Sequence, residues 1–148
     1  MRVQDPRFYA ETAFGGSVGA GDAYMQGFWS ADDLTAAMRI LLQNREVLDG
    51  MESGWARLAA LCGAVARACD LRLVHLEDIG PHYAKTLRTW RDNLFANVDR
   101  VRALGYSEAF LRMWEFYLCY CEAGFEERAL GDAQMLFIKP QSRIELPV

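Results

Sequence analysis

Residues 75–90 read HLEDIGPHYAKTLRTW and gather most of the chain's candidates for chemistry in one stretch. Asp78-Ile79-Gly80 has the opening of a nucleotide-cofactor loop of the D-x-G-x-G kind. Such a loop needs a second glycine two residues on, so that the backbone can approach the ligand. Here that position is His82, and Pro81 removes a backbone donor. No cofactor is expected at this loop. Glu77 and Asp78 have the types of an acid–base pair, but adjacent strand residues point to opposite faces. One is expected as a strand-end hydrogen-bond acceptor and the other in solvent. His75 and His82 are the only histidines and have no evident third ligand, so no metal site is expected. A Cys121–His82 nucleophile pair has no support from spacing. Lys85, Arg88 and Arg91 recur every three residues on one helix face. Three charges make a small patch, which reads as a solvated face rather than a phosphate site.

A second glycine-rich stretch, GGSVGAGDAYM, contains Gly19-x-Gly21. Tyr24 stands where a dinucleotide loop needs its third glycine, and no strand-helix-strand unit follows. It is expected to be structural.

The elements that must position these residues are mostly helical. Residues 1–29 lack a helical period and predict short strands and turns. Ser30-Ala31-Asp32-Asp33 has the form of a helix start with Ser30 as the cap. Leu34, Met38, Leu41 and Leu42 then share one face, predicting a helix to about Val47. WARLAALCGAVARAC predicts an Ala-rich helix from Trp55 to about Cys69. Leu71 to Leu76 reads as a strand ended by Gly80-Pro81. A long helix is predicted from His82 to Ala103, with Tyr83, Leu87, Trp90, Leu94, Val98 and Val101 on its apolar stripe and Leu104-Gly105 as its stop. Ser107 caps another helix, whose predicted core stripe is Phe110, Met113, Trp114, Tyr117, Leu118 and Cys121. It ends or bends at Gly124. Asp132 to Lys139 predicts a last strand, and the tail from Gln141 reads as loose.

The 148 residues have the size of one domain, with 52% hydrophobic and 24% charged residues. A net charge of −4 argues against a nucleic-acid partner. The four cysteines, Cys62, Cys69, Cys119 and Cys121, form no CxxC pair, and no apolar leader precedes them. They read as reduced thiols of a cytoplasmic protein. No run of ~18 apolar residues is present, so no transmembrane segment is expected.

Three segments together resemble the cyclopropane-fatty-acyl-phospholipid synthase family. AYMQGFWSADDLTAAMRILLQNREVLD is similar to the family's N-terminal helical region, LRLVHLEDIGPHYAKTLRTWRDNL to a strand and helix past its catalytic core, and FLRMWEFYLCYCEAGFEERALGDAQMLFIKP to its closing helix and strand. Family members use S-adenosylmethionine to transfer a methylene group to the double bond of an unsaturated phospholipid acyl chain, with bicarbonate as the base. The resemblance implies an α+β, mostly α fold. Residues 1–69 would form the helical N-terminal region. Residues 70–148 would form the C-terminal strand-helix-helix-strand part of a Rossmann-like methyltransferase, without its central parallel sheet. The two matching halves join near residues 66–71, where the family carries its cofactor domain. The resemblance therefore implies a truncated member, inactive alone, with no S-adenosylmethionine or bicarbonate expected in this chain. It carries over two site residues, Tyr83 in PHYAKTL and Cys121 in FYLCYCEAGF. The partners it implies are phospholipid at the inner face of the membrane, a second copy, or a full-length synthase met through sheet edges at 71–78 and 132–139. The other reading is a non-catalytic lipid- or partner-binding module.

Overall fold

The computed structural model describes residues 1–43, 63–64 and 68–143. The expected helix at 55–69, the extension to Val47, Cys62 and the last five residues lie wholly or largely outside them. The chain is α+β and mostly helical: β1 (Arg2–Val3), α1 (Arg7–Met25), β2 (Trp29–Ser30), α2 (Leu34–Gln43), β3 (Arg72–Asp78), α3 (Gly80–Ala96), α4 (Val98–Ala103), α5 (Glu108–Glu126) and β4 (Ala133–Ile138). Helix α5 is the spine, and α1, α2 and α3 all pack on it.

Residues 7–25 are helical, which corrects the expectation of strands and turns. Four glycines between 15 and 21 dilute the apolar period there, and packing on α5 overrides their poor propensity. The helix kinks at Gly16, whose φ of 55° and ψ of −135° suit only glycine. Beyond the kink, Gly21 lets α1 approach α5 closely. A Cβ there would stand 3.0 Å from the Phe116 ring.

The core joins both ends of the chain. Phe8, Ala23, Tyr24, Phe28, Trp29, Leu34 and Met38 pack against Cys119 and Ala123. Trp29 is fully buried, and its indole N–H donates to the Ala20 carbonyl at 2.9 Å. Its ring meets Tyr24, Phe8 and Phe116 at centroid distances of 5.2, 5.8 and 6.4 Å. Arg112 of α5 closes this layer. It donates to the carbonyls of Tyr24 and Trp29, and its guanidinium lies 4.2 Å from the Tyr24 ring centre.

Asp33, not Ser30, caps α2, because its carboxylate accepts from the Ala36 N–H at 2.8 Å. The Ser30 hydroxyl is instead engaged by the Gln4 amide. Ser107 does cap α5, accepting from Phe110 N–H at 3.3 Å. The long helix expected to Ala103 breaks at Asn97, whose backbone leaves the helical region, and continues as the short α4. Gly105 stops it with a φ of 89°.

Strands β3 and β4 pair antiparallel, with Arg72 opposite Ile138 and Asp78 opposite Ala133. They form a two-stranded ribbon with no further strand beside it among the described residues.

Candidate functional site

Glycine 80 begins α3, with Pro81 in the first turn, and the tempting loop at 78–82 is closed by its own chain. The Asp78 carboxylate accepts from the Gly80 N–H at 3.0 Å. The Ile79 N–H donates to the Asp132 carbonyl and the His82 N–H to the Ile79 carbonyl. A Cβ on Gly80 would meet Asp78 at 3.1 Å and Phe125 at 3.4 Å, so the space beside it is filled by protein. The N–H groups of Ile79, Gly80 and His82 are thus all engaged by the chain itself, and Pro81 between them has none. Asp78 takes the strand-end acceptor role expected for one of the two acids, while Glu77 is exposed. Among the described residues no cluster of histidines, cysteines and acids could hold a metal ion.

In the basic row of α3, Lys85 is exposed as expected, whereas the two arginines depart from a purely solvated role. Arg91 turns inward onto Glu122 of α5, which is 1% exposed, and the more exposed Arg88 reaches the same carboxylate from the surface. Arg88 Nε meets one carboxylate oxygen at 2.7 Å and Arg91 a second at 2.7 Å. The Arg91 guanidinium also donates to Thr35 Oγ1 at 2.6 Å and to the Cys119 sulfur at 3.3 Å. One buried carboxylate therefore ties α2, α3 and α5 together. Burial pushes the Cys119 thiol above its ordinary pKa, against the opposing pull of Thr35 and Arg91.

Tyr83 and Cys121 lie on facing helices around a common neighbour, Tyr117. The Tyr83 ring is half-buried, 5.1 Å from Phe125 and 6.1 Å from Trp90 between centroids. Tyr117 precedes Cys121 by one turn of α5, so the phenol and thiol meet on one face. The charge of the Cys121 thiolate, the contact with it and then burial raise the Tyr117 phenol's pKa, and Tyr83 adds a smaller push in the same direction. Burial raises Cys121, and its contact with Tyr117 draws it part of the way back. Tyr117 itself is 53% exposed. Sequence reasoning placed it in a core stripe and missed its place in this group; its spacing of four from Cys121 was the available signal.

That predicted core stripe of α5 is largely a surface. Met113, Trp114 and Tyr117 are exposed, and the buried face consists of Leu111, Leu118, Cys119, Glu122, Ala123 and Gly124. Trp90 of α3 is likewise half exposed. An apolar cleft of ≈ 270 Å³ opens between α1 and α5, lined by Ser17, Val18, Gly21, Asp22, Met25, Met113, Phe116, Tyr117 and Tyr120.

A thiol whose pKa is raised is mostly protonated at neutral pH and is a poor nucleophile. Removing the Tyr117 hydroxyl deletes a contact that lowers the Cys121 pKa, so Tyr117→Phe is expected to raise it further. In a background with Cys62 and Cys69 replaced by serine, the pH midpoint of iodoacetamide alkylation should move upward in that variant. A midpoint that stays put or falls means that the two side chains do not interact.

The pattern of the mycolic acid cyclopropane synthetase family matches residues 57–135, just over half of the chain. A tuberculostearic acid methyltransferase of Mycobacterium tuberculosis is 45% identical over 80 residues, covering 54% of this chain and 19% of that protein. A probable fatty acid methyltransferase of Pseudomonas putida is 37% identical over 82 residues, or 55% of this chain and 19% of its own length. An S-adenosylmethionine-dependent methyltransferase of M. tuberculosis is 35% identical over 74 residues, or 50% of this chain and 26% of that protein. The chain thus spans about a fifth to a quarter of the length of these curated relatives. No solved structure matches it.

Proposed function

The chain belongs to the mycolic acid cyclopropane synthetase family, and from that premise we propose that it is a shortened lipid methyltransferase that supplies a substrate-facing wall without the methyl-donor site. The observation that carries this reading is the closed backbone at 79–82, where every N–H present is engaged by the chain itself. Tyr83 and Tyr117 are the residues proposed to face the reacting carbon. The π face of a phenol favours nearby positive charge, which alkene methylation develops. Cys121 is a positioning residue that holds the Tyr117 hydroxyl, since its raised pKa does not suit attack.

In the relatives' greater length lies room for a separate donor domain, and this chain alone is proposed to be inactive. Incubating the purified protein with methyl-labelled S-adenosylmethionine and vesicles of unsaturated phosphatidylglycerol should leave the lipid unlabelled. Label in the lipid above a boiled control overturns the reading.

The second reading, a non-catalytic module that joins a full-length synthase, draws on the ribbon of β3 and β4, which has no further strand beside it among the described residues. Edge strands offer free N–H and C=O groups to a partner. Co-elution with a full-length synthase in size-exclusion chromatography would favour it, and independent elution would remove its support. Among the described residues no helix is long and apolar enough to cross a membrane. A peripheral location at the inner membrane face is part of the proposal.

A further inference from the structure

We propose that the pocket where α2, α3 and the turn after α5 meet binds a phosphate monoester, either a soluble one or a monoester headgroup. The inference goes beyond the methyltransferase reading and does not rest on it. The pocket holds ≈ 360 Å³, within the range of small-ligand sites. Its walls carry Arg39 of α2, Lys85 and Arg88 of α3, and Arg128 of the turn, beside the Phe125 ring. Among the described residues of the lining, Glu126 is the one carboxylate. Four cations thus converge in a chain whose net charge is −4.

Tertiary packing assembles this group. Along α3 the spacing offers Lys85, Arg88 and Arg91, and Arg91 leaves the row for Glu122. The fold brings in Arg39 and Arg128 instead. Glu126 bridges two of the cations, with one oxygen toward Arg39 and the other on Arg88. Arg88 spends Nε on Glu122 and one terminal nitrogen on Glu126, and Arg39 spends Nε on Glu127. A guanidinium has five N–H donors, so both keep donors for an oxyanion. Lys85 is exposed and has no ion pair among the described residues. Glu122, Glu127 and Asp78 stand behind the arginines, outside the lining, and offset part of their charge.

Arg128 carries the inference furthest. It follows the Glu127 cap of α5 with a φ of 54°, the left-handed position where helices usually place glycine. Its side chain is 72% exposed, and its ion pair with Asp78 is a loose one at 3.7 Å. Such an exposed pair adds little to stability. The strained backbone is therefore not repaid by packing, and strain of this kind gathers at ligand sites. Two arginine forks, a further arginine and a lysine suit a multiply charged oxyanion. A phosphate monoester carries roughly −1.5 to −2 charges at pH 7 and three acceptor oxygens. A diester carries a single charge and fits less well.

Glycerol 3-phosphate is titrated calorimetrically into the full chain at constant ionic strength, with dimethyl phosphate as the diester control. Saturable binding is expected for the monoester alone. Lys85→Ala and Arg128→Gly should each weaken it about tenfold, the effect of losing a charged hydrogen bond. Arg128→Gly should at the same time raise Tm, since glycine relieves the left-handed backbone. A purely structural arginine would lower Tm when replaced. Far-ultraviolet circular dichroism checks that Lys85→Ala folds. Flotation with phosphatidylcholine vesicles containing phosphatidic acid, or phosphatidylglycerol at matched surface charge, separates the two sources. Binding of free glycerol 3-phosphate assigns a soluble ligand, and binding of phosphatidic acid vesicles alone assigns a headgroup. Absence of saturable monoester binding in both arms overturns the proposal. So does equal binding of dimethyl phosphate or of phosphatidylglycerol vesicles, and so does binding that both variants leave unchanged.

Discussion

Replacing Glu122 by alanine is expected to lower the unfolding free energy by about 3 kcal/mol, at the lower end of what breaking a buried ion pair costs. The carboxylate is 1% exposed and holds two guanidinium groups. Its loss strands the charge of Arg91, whose side chain is 21% exposed and which among the described residues has only Thr35, Cys119 and a distant Asp92 to turn to. Arg88 adds less, because its side chain is 48% exposed and water screens it. Glu122→Gln keeps the shape and one acceptor and should lose less. A triple change to Glu122→Leu, Arg88→Met and Arg91→Met removes all the buried charge and should recover part of the loss, since apolar packing can replace such a cluster. Urea unfolding followed by fluorescence and circular dichroism measures each step. A loss under 0.5 kcal/mol in the alanine variant, of the order of an ordinary surface change, would show that the cluster does not hold the helices together.

The second large effect is expected at Trp29. Truncation to alanine in a close-packed aromatic layer costs about 3–5 kcal/mol, a large part of the roughly 5–15 kcal/mol that a domain has. The indole is fully buried and contacts Phe8, Tyr24 and Phe116. Trp29→Phe preserves most of the apolar burial but leaves the Ala20 carbonyl without its donor. It should lose about 1–3 kcal/mol, the range for an orphaned buried polar group. The alanine variant is also expected to lose the near-ultraviolet circular dichroism of the aromatic layer while retaining helix. Near-wild-type stability in Trp29→Ala would mean that α1 is not anchored through this side chain.

The helices with strong periods were legible in the sequence. So were strands β3 and β4, the caps at Ser107 and Gly105, and the division of labour between Glu77 and Asp78. The main failures share one cause, a partner far away in the chain. Arg88 and Arg91 recur at a spacing that suits a solvated face, and the carboxylate that engages them lies 34 and 31 residues downstream. Residues 7–25 carry too many glycines for a helical signal, and the helix persists because Gly21 allows it to rest on Phe116. On α5 the apolar pattern pointed to Trp114 and Tyr117, yet α1, α2 and α3 settle on the neighbouring face. The candidate site was half legible. Tyr83 and Cys121 entered through a family resemblance, whereas Tyr117, which links them, emerged only when α3 and α5 were set side by side.

The joining of both chain ends in one core has a consequence for biosynthesis. Tyr24 donates to Glu115, 91 residues later. At the usual pace of translation, roughly 5–20 residues per second, that interval is on the order of 5–20 s. For this time Phe8, Phe28 and Trp29 are outside the ribosome with no α5 to cover them. Late closure of such long-range contacts slows folding and prolongs exposure of apolar surface. The nascent chain is thus a natural client for a holdase at the exit tunnel, and its yield in cells should depend on chaperone supply more than the stability of the finished protein suggests.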